Sequence, residues 1–244
     1  LGRSSHTLIG CAGWSLGSAH LAAFPKQGTH LQRYAATLNA VEINSSFYRP
    51  HKPETYRRWA ASVPAGFRFS VKIPQQITHT QRLVDCEPLL DVFLGQCSEL
   101  SERLGCLLLQ LPPSLAYEPT RAGLFLQALR QRFEGDVVIE PRHPSWSAAQ
   151  SLLVELRIAQ VAADPPRIGN DQTPSGWSGL HYWRLHGSPR VYFSEYDQER
   201  LQRLAVQLRQ SAEAGIPTWC IFDNTAAGAA MGNALQLQAL LGPE

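Results

Sequence analysis

Three carboxylates close three strand-like apolar runs in this chain: Glu42 in "AVEIN", Glu140 in "DVVIE" and Asp223 in "TWCIFD". Carboxylates brought together push one another's pKa apart, so that one serves as an acid and another as a base. The expected chemistry is therefore general acid/base catalysis, with Glu140 and Glu42 as acid and base and Asp223 in support. Of the three lysines, Lys26, Lys52 and Lys72, only Lys72 ends a strand-like run, "FRFSVK". Two readings compete for it. A desolvated amine would act as a Schiff-base nucleophile, as a base or as a stabiliser of developing negative charge. An ion pair with Glu42 on the adjacent strand is the favoured alternative. His186, closing "HYWRLHG", and His143 titrate near neutral pH and suit proton transfer, and His79 sits in a loop able to close over a ligand. Arg142 and Arg184 are expected to hold an anionic group.

Around this set lie candidate binding residues. Asn44 ends the strand that carries Glu42, Gln110 and Asp164 end further strands, and Trp14, Phe47, Tyr48, Trp146 and Tyr192 fall in strand-end loops, where aromatic rings stack on sugars or bases. Asn224 or Thr225 is expected to cap the last helix and, with the small residues after it, to let an anion approach the helix N-terminus. Charge from Arg184 and Arg190 would add to that site. The eight histidines are dispersed and HExxH is absent, so neither a metal nor another cofactor is expected.

These residues need elements to position them. Strand patterns occur at 7–13, 40–44, 67–72, 105–111, 136–140, 159–164, 181–187 and 218–223. Helical patterns lie near 29–37, 53–62, 86–103, 121–132, 145–157, 197–213 and 225–241. The stretch 165–179 reads as a long loop in place of a full helix after strand 6. Eight alternating units imply an α/β fold of parallel strands, a (β/α)₈ TIM-type barrel formed as one domain over 1–244. The rival, a doubly wound open sheet, lacks its GxGxxG turn. Period two then places Glu42 with Asn44, Arg68 with Ser70 and Lys72, and Tyr182 with Arg184 and His186, on a polar face opposite the apolar one. Polar groups gather at the C-terminal strand ends, where barrels of this type carry their active sites.

The motifs "IGCAGWS", "VEINSSFYR", "GFRFSVKIPQQITH", "LLLQLPPS", "IEPRHPSW", "YWRLHG" and "FDNTAAGAAMGNAL" run in order from residue 9 to about 235. On these the chain resembles the DUF72 (YecE-like) family of unknown function, whose members are TIM-type barrels. The resemblance implies the fold and the site without the chemistry. Ala12 stands where the family often has Ser, and Pro141 where it often has an aromatic residue. Some members look similar to endonuclease IV-type barrels, which is the ground for a nucleic-acid alternative.

A net charge of +2 disfavours nucleic acid and acidic membranes as partners. No apolar run reaches the ~20 residues of a membrane span. Five cysteines without a CxxC pair, and no signal-peptide pattern, lead to the expectation of a cytoplasmic protein. The leading expectation is a metal-independent acid/base enzyme, a hydrolase, lyase or isomerase, whose partner is an anionic, phosphorylated or sugar-like small molecule. A nucleic-acid-binding or endonuclease IV-like phosphodiesterase and a non-catalytic ligand-binding barrel are the alternatives.

Overall fold

A computed structural model describes residues 7–169 and 172–242. In chain order its strands are β1 (Thr7–Cys11), β2 (Ala40–Ile43), β3 (Arg68–Lys72), β4 (Leu104–Gln110), β5 (Asp136–Glu140), β6 (Ile158–Gln160), β7 (Ala162–Asp164), β8 (Ser175–Gly176), β9 (His181–Leu185) and β10 (Thr218–Phe222). The helices are α1 (His30–Ala35), α2 (Ser45–Tyr48), α3 (Pro53–Ala61), α4 (Glu87–Cys97), α5 (Pro119–Arg132), α6 (Gln150–Glu155), α7 (Gln198–Glu213) and α8 (Ala229–Leu241). Local sequence sets their starts. Thr29 and Gln32 form a capping box at α1, Glu118 accepts from the Thr120 and Arg121 amides with Pro119 as first residue of α5, and Asp197 caps α7.

The fold is mixed α/β, with two sheets. One runs β1-β10-β9-β7, all parallel; the other runs β2-β3-β4-β5-β6, all parallel, with the short β8 antiparallel on its β6 edge. Outward residues such as Val41, Val71, Leu109, Ile139 and Phe222 pack beneath the helices. Inward residues, among them Ala40, Cys106, Leu108, Val138, Tyr182 and Trp219, form a second cluster between the sheets. The Tyr182 and Trp219 rings stack there with centroids 5.7 Å apart.

The strand count and the single ladder expected from sequence are corrected by two features. The sixth expected strand changes partner at Val161. Before it, β6 pairs with β5, and Val161 itself donates to the Ile139 carbonyl; after it, β7 pairs with β9. Between β1 and β2 side chains take most of the ladder positions. The Asn39 amide accepts from the Ile9 N–H and donates to the Thr7 carbonyl, while the Tyr34 hydroxyl accepts from the Cys11 N–H and donates to the Ala40 carbonyl, both at 2.8 Å. Direct backbone contact returns only at the top, where Gly13 N–H reaches the Glu42 carbonyl at 2.9 Å. Gly10 is required in this seam, since a Cβ there would fall on the Ala40 carbonyl oxygen. Helices fall where the apolar period placed them, although α8 starts at Ala229 rather than near 225. The 165–179 loop carries β8 and no helix; its Asn170 and Asp171 lie outside the described residues.

Tyr34→Phe keeps the ring and removes the hydroxyl that satisfies two buried backbone groups. The expected loss is about 2–4 kcal/mol of folding stability, read from urea denaturation midpoints. A loss within the scatter of replicate titrations would show that water replaces the hydroxyl in this seam.

Candidate active site

Strand alternation delivers side chains from several strands into the space between the sheets. Glu42 comes from β2, Ser70 and Lys72 from β3, Glu140 from β5, Tyr182 and Arg184 from β9. His186 and Asp223 follow the last residues of β9 and β10. Arg184 is fully buried at 0% exposure and touches three carboxylates. Its Nε and Nη2 donate to the two oxygens of Glu42 at 2.9 and 2.6 Å, Nη1 to Glu140 at 2.8 Å, and Nη2 also to Asp223 at 3.2 Å. The Tyr182 hydroxyl contacts Glu42 at 3.0 Å and Ser70 at 2.9 Å. His186 spans Asp223 through Nδ1 at 2.9 Å and Glu140 through Nε2 at 3.1 Å. Arg142 completes the cluster, with Nε and Nη2 on Glu140 Oε1, the oxygen that His186 also meets, at 3.1 and 3.0 Å, while Arg184 holds Oε2.

Burial alone pushes the Glu140 carboxyl up, but Arg184, His186 and Arg142 outweigh it and hold it well below the usual carboxylate range. Asp223 is lowered on the same balance, burial opposed by Arg184 and His186. Burial works against the Arg184 charge, yet its three carboxylates fix it firmly as the cation. The His186 imidazole stands between two of these carboxylates, Nδ1 against Asp223 and Nε2 against Glu140. Three carboxylates, Glu42, Glu140 and Asp223, thus meet three basic groups, Arg184, Arg142 and His186.

Lys72 stands outside this balance. Among the described residues no carboxylate lies within ion-pair distance of its ammonium, which sits 4.0 Å from the centre of the Phe47 ring. The ion pair with Glu42 expected from sequence is displaced because Arg184 takes both Glu42 oxygens. Desolvation, then the Arg184 charge, lowers the Lys72 pKa to about 8 against the opposing pull of Glu42, Asp223 and Glu140.

The remaining sequence candidates divide. Gln110 pairs in register with Glu140 on the same inward face, and His79 lies in the field of Lys72 and Arg142, edge-on to Phe47 at 5.0 Å. Asn44 is half-buried beneath α2, with its Oδ1 unpartnered. Others are placed elsewhere. Asp164 points outward, because alternation puts Ala163 opposite Arg184 and Asp164 opposite Leu185, and Arg200 of α7 binds it there at 2.6 Å. Trp146 is buried in the core and donates to the Leu115 carbonyl. His143 accepts from the Ser145 amide and caps a short 3₁₀ turn, Pro144–Ala149. Asn224 is buried, its amide tied to Asn233 and the Ser194 carbonyl rather than capping α8, whose N-cap is Gly228 without a side-chain cap. Trp14 packs edge-on against Trp59, and Tyr48, 66% exposed, against Phe47. The phosphate site expected from Arg184 and the last helix finds no support, since the guanidinium is bound to carboxylates and the helix begins four residues late. Tyr182 and Ser70 were legible as inward-facing, but nothing in the sequence joined them to the site. Tyr192, whose ring meets His186 edge-on at 5.8 Å and whose phenol reaches Arg142, is a further neighbour.

Among the described residues no group of three His, Cys, Asp or Glu side chains is arranged to hold a metal ion, and no helix is long and apolar enough to cross a membrane. The family described as "Protein of unknown function DUF72" matches residues 8–244. UPF0759 protein YecE of Escherichia coli (strain K12) is 37% identical over 121 residues, 49% of this chain and 44% of that protein. This match therefore spans less than half the relative's length. UPF0759 protein YunF of Bacillus subtilis (strain 168) is 23% identical over 96% of this chain and 94% of its own. Solved DUF72 family proteins share the fold: one from Thermotoga maritima MSB8 at TM-score 0.79 and 24% identity, covering 98% of this chain and 100% of its own, and one from Enterococcus faecalis V583 at 0.80 and 21%, covering 98% and 96%.

Arg184→Met leaves three buried carboxylates with too few cations, and its expected cost at pH 7 is about 3–5 kcal/mol. Glu140 and Asp223 have lowered pKa values in the folded protein, so their stabilisation is present above the ordinary values of 4.5 and 3.8 and is lost as pH falls through the folded ones. Urea titrations should therefore show the deficit of the variant shrinking as pH falls below about 4.5. Lys72 has the opposite sense: a pKa lowered from 10.5 to about 8 opposes folding by about 3 kcal/mol below pH 8, a handicap gone above 10.5. Lys72→Met forfeits the ring contact, worth about 0.5–2 kcal/mol. It should still gain about 1–3 kcal/mol at pH 7 and nothing at pH 10.5; an unchanged or lower stability at pH 7 contradicts the uncompensated amine.

Proposed function

The chain belongs to the DUF72 family, and from that premise we propose that it is an acid/base enzyme acting on a small phosphorylated or sugar-like molecule at the C-terminal strand ends. The single observation that carries this reading is Lys72, a buried amine without a carboxylate partner beside a cluster whose other charges are balanced. A neutral amine is a base, and such perturbed, desolvated groups gather at catalytic sites. His186, with both ring nitrogens bound to Asp223 and Glu140 and no exposed surface, positions those carboxylates, and water supplies the acid. Glu42, with both oxygens bound to Arg184 and no exposed surface, positions the cluster rather than exchanging protons with substrate. Arg142, 13% exposed in its side chain, and His79 face outward from the cluster and suit the anionic part of a substrate. The oxygens a cation would need are occupied by arginine and histidine, which supports chemistry without a resident metal.

The same reading treats the two sheets as the wall of one TIM-type barrel in a single domain, supported by the backbone contact at Gly13 and by the chain continuing through Val161. It places the protein in a reducing, cytoplasmic compartment, in keeping with five buried free thiols. The near-balanced charge and inward-facing cations weigh against a nucleic-acid partner.

The test is a ligand screen with sugar phosphates, hydroxy acids, oxo acids and oligonucleotides, read by melting temperature and by turnover of the hits. At least one small anionic compound is expected to stabilise the protein saturably and to be converted, with conversion at least 100-fold slower in Lys72→Met while the variant stays folded. Stabilisation by oligonucleotides alone, or undiminished conversion by Lys72→Met, would overturn the assignment.

A further inference from the structure

We propose that Lys72 is a nucleophile that forms an imine with the carbonyl carbon of a small anionic aldehyde or ketone. This deepens the acid/base reading and rests on it.

Geometry separates Lys72 from a simple electrostatic role. A lysine kept as a fixed positive charge is ordinarily paired, yet this one faces an aromatic ring while Arg184 takes both oxygens of the nearest carboxylate strand, β2. The groups facing it are Glu42 from β2, Glu140 from β5, Arg184 from β9, Asp223 after β10 and His79 from the π-helical turn Gln76–Thr80. With the three carboxylates already bound by other groups, a proton on the amine is held less firmly in this dry site than in water, and the neutral fraction rises. An amine with a pKa of about 8 is neutral in roughly 200-fold larger fraction at pH 7 than a free lysine side chain at about 10.4. An arginine at this strand end could not do this, because it stays protonated.

The step balances with water as the proton carrier. The lone pair of the amine nitrogen forms the C–N bond as the carbonyl π pair moves to oxygen, which takes a proton from a water molecule. The nitrogen gives up a proton to the resulting hydroxide, giving a neutral carbinolamine. A second protonation of that oxygen from solvent lets it leave as water while the nitrogen lone pair forms the C=N bond, leaving a protonated imine on Lys72. Its positive charge then drains electrons from the adjacent carbon, the chemistry of aldol cleavage and of proton removal beside a carbonyl. No oxidant or reductant is needed. Arg142 is placed for the carboxylate or phosphate of the same molecule.

Three lysines in the chain make the test clean, since Lys26 and Lys52 are exposed and serve as internal controls. The full-length protein is incubated with pyruvate or dihydroxyacetone phosphate and sodium cyanoborohydride, and adducts are mapped by peptide mass spectrometry. The expected result is one adduct per chain, at Lys72, forming at least tenfold faster than at Lys26 or Lys52, with a rate that rises with pH through about 8 and levels off. Lys72→Arg should remove it. Adducts spread evenly over the three lysines, or an unlabelled Lys72 with either probe, overturn the imine. In that event, loss of conversion of the screened compound in Lys72→Met leaves the acid/base reading standing with Lys72 as base only, while undiminished conversion removes both.

Discussion

Arg184 is the tie on which the interior depends. It rises from β9 in one sheet and binds Glu42 and Glu140 from the other, so its guanidinium bridges the sheets where their backbones do not pair. Removing a guanidinium and three carboxylates from water costs several kcal/mol per ion. That cost is offset because the fork geometry meets Glu42 through two parallel bonds while the third nitrogen donates to Glu140. Lysine in this position would offer a point charge and lose the planar fit. The layer below is arranged accordingly, with Tyr182 carrying its hydroxyl up to Glu42 and stacking its ring on Trp219 beneath.

Filling Arg184 so completely has a consequence on the neighbouring strand. Both oxygens of Glu42 are engaged by Arg184 and Tyr182, and Glu140 and Asp223 are shared among Arg184, His186 and Arg142. The lysine is left against Phe47. Cluster and amine are thus one design seen from two sides: the better the arginine is satisfied, the less charge remains to hold a proton on the lysine.

Much of this was legible in the sequence because period-two alternation is a local property. Glu42, Ser70, Lys72, Tyr182, Arg184 and His186 could be assigned to one face from strand patterns alone, and the strand ends located the site. The same rule, applied to "AQVAAD", would have turned Asp164 outward beside Gln160 and Ala162. What alternation cannot say is which cation wins a shared carboxylate. That depends on the reach and angle of side chains from strands 142 residues apart in sequence, as for Arg184 and Glu42. Trp146, His143 and Asn224 failed for a related reason. Near a strand end, a polar or aromatic side chain serves a cap, a core or a loop as readily as a ligand, and only the packing decides. The sheet break between β1 and β2 was hidden because its hydrogen bonds come from Asn39 and Tyr34, side chains that look like ordinary loop and helix residues.

A purely structural account of the cluster explains Arg184, Arg142, His186 and the three carboxylates, because each satisfies another. It does not explain Lys72. An amine whose burial opposes folding by about 3 kcal/mol at neutral pH takes a large share of the 5–15 kcal/mol typical of a domain. Methionine would fill the space against Phe47 without that loss. Proteins carry such locally unfavourable groups chiefly where function requires them, in a site whose reactive atom cannot also be its most stable one. The balance of charge around Arg184 keeps the surroundings rigid and neutral, and the imbalance at Lys72 keeps one atom reactive within them.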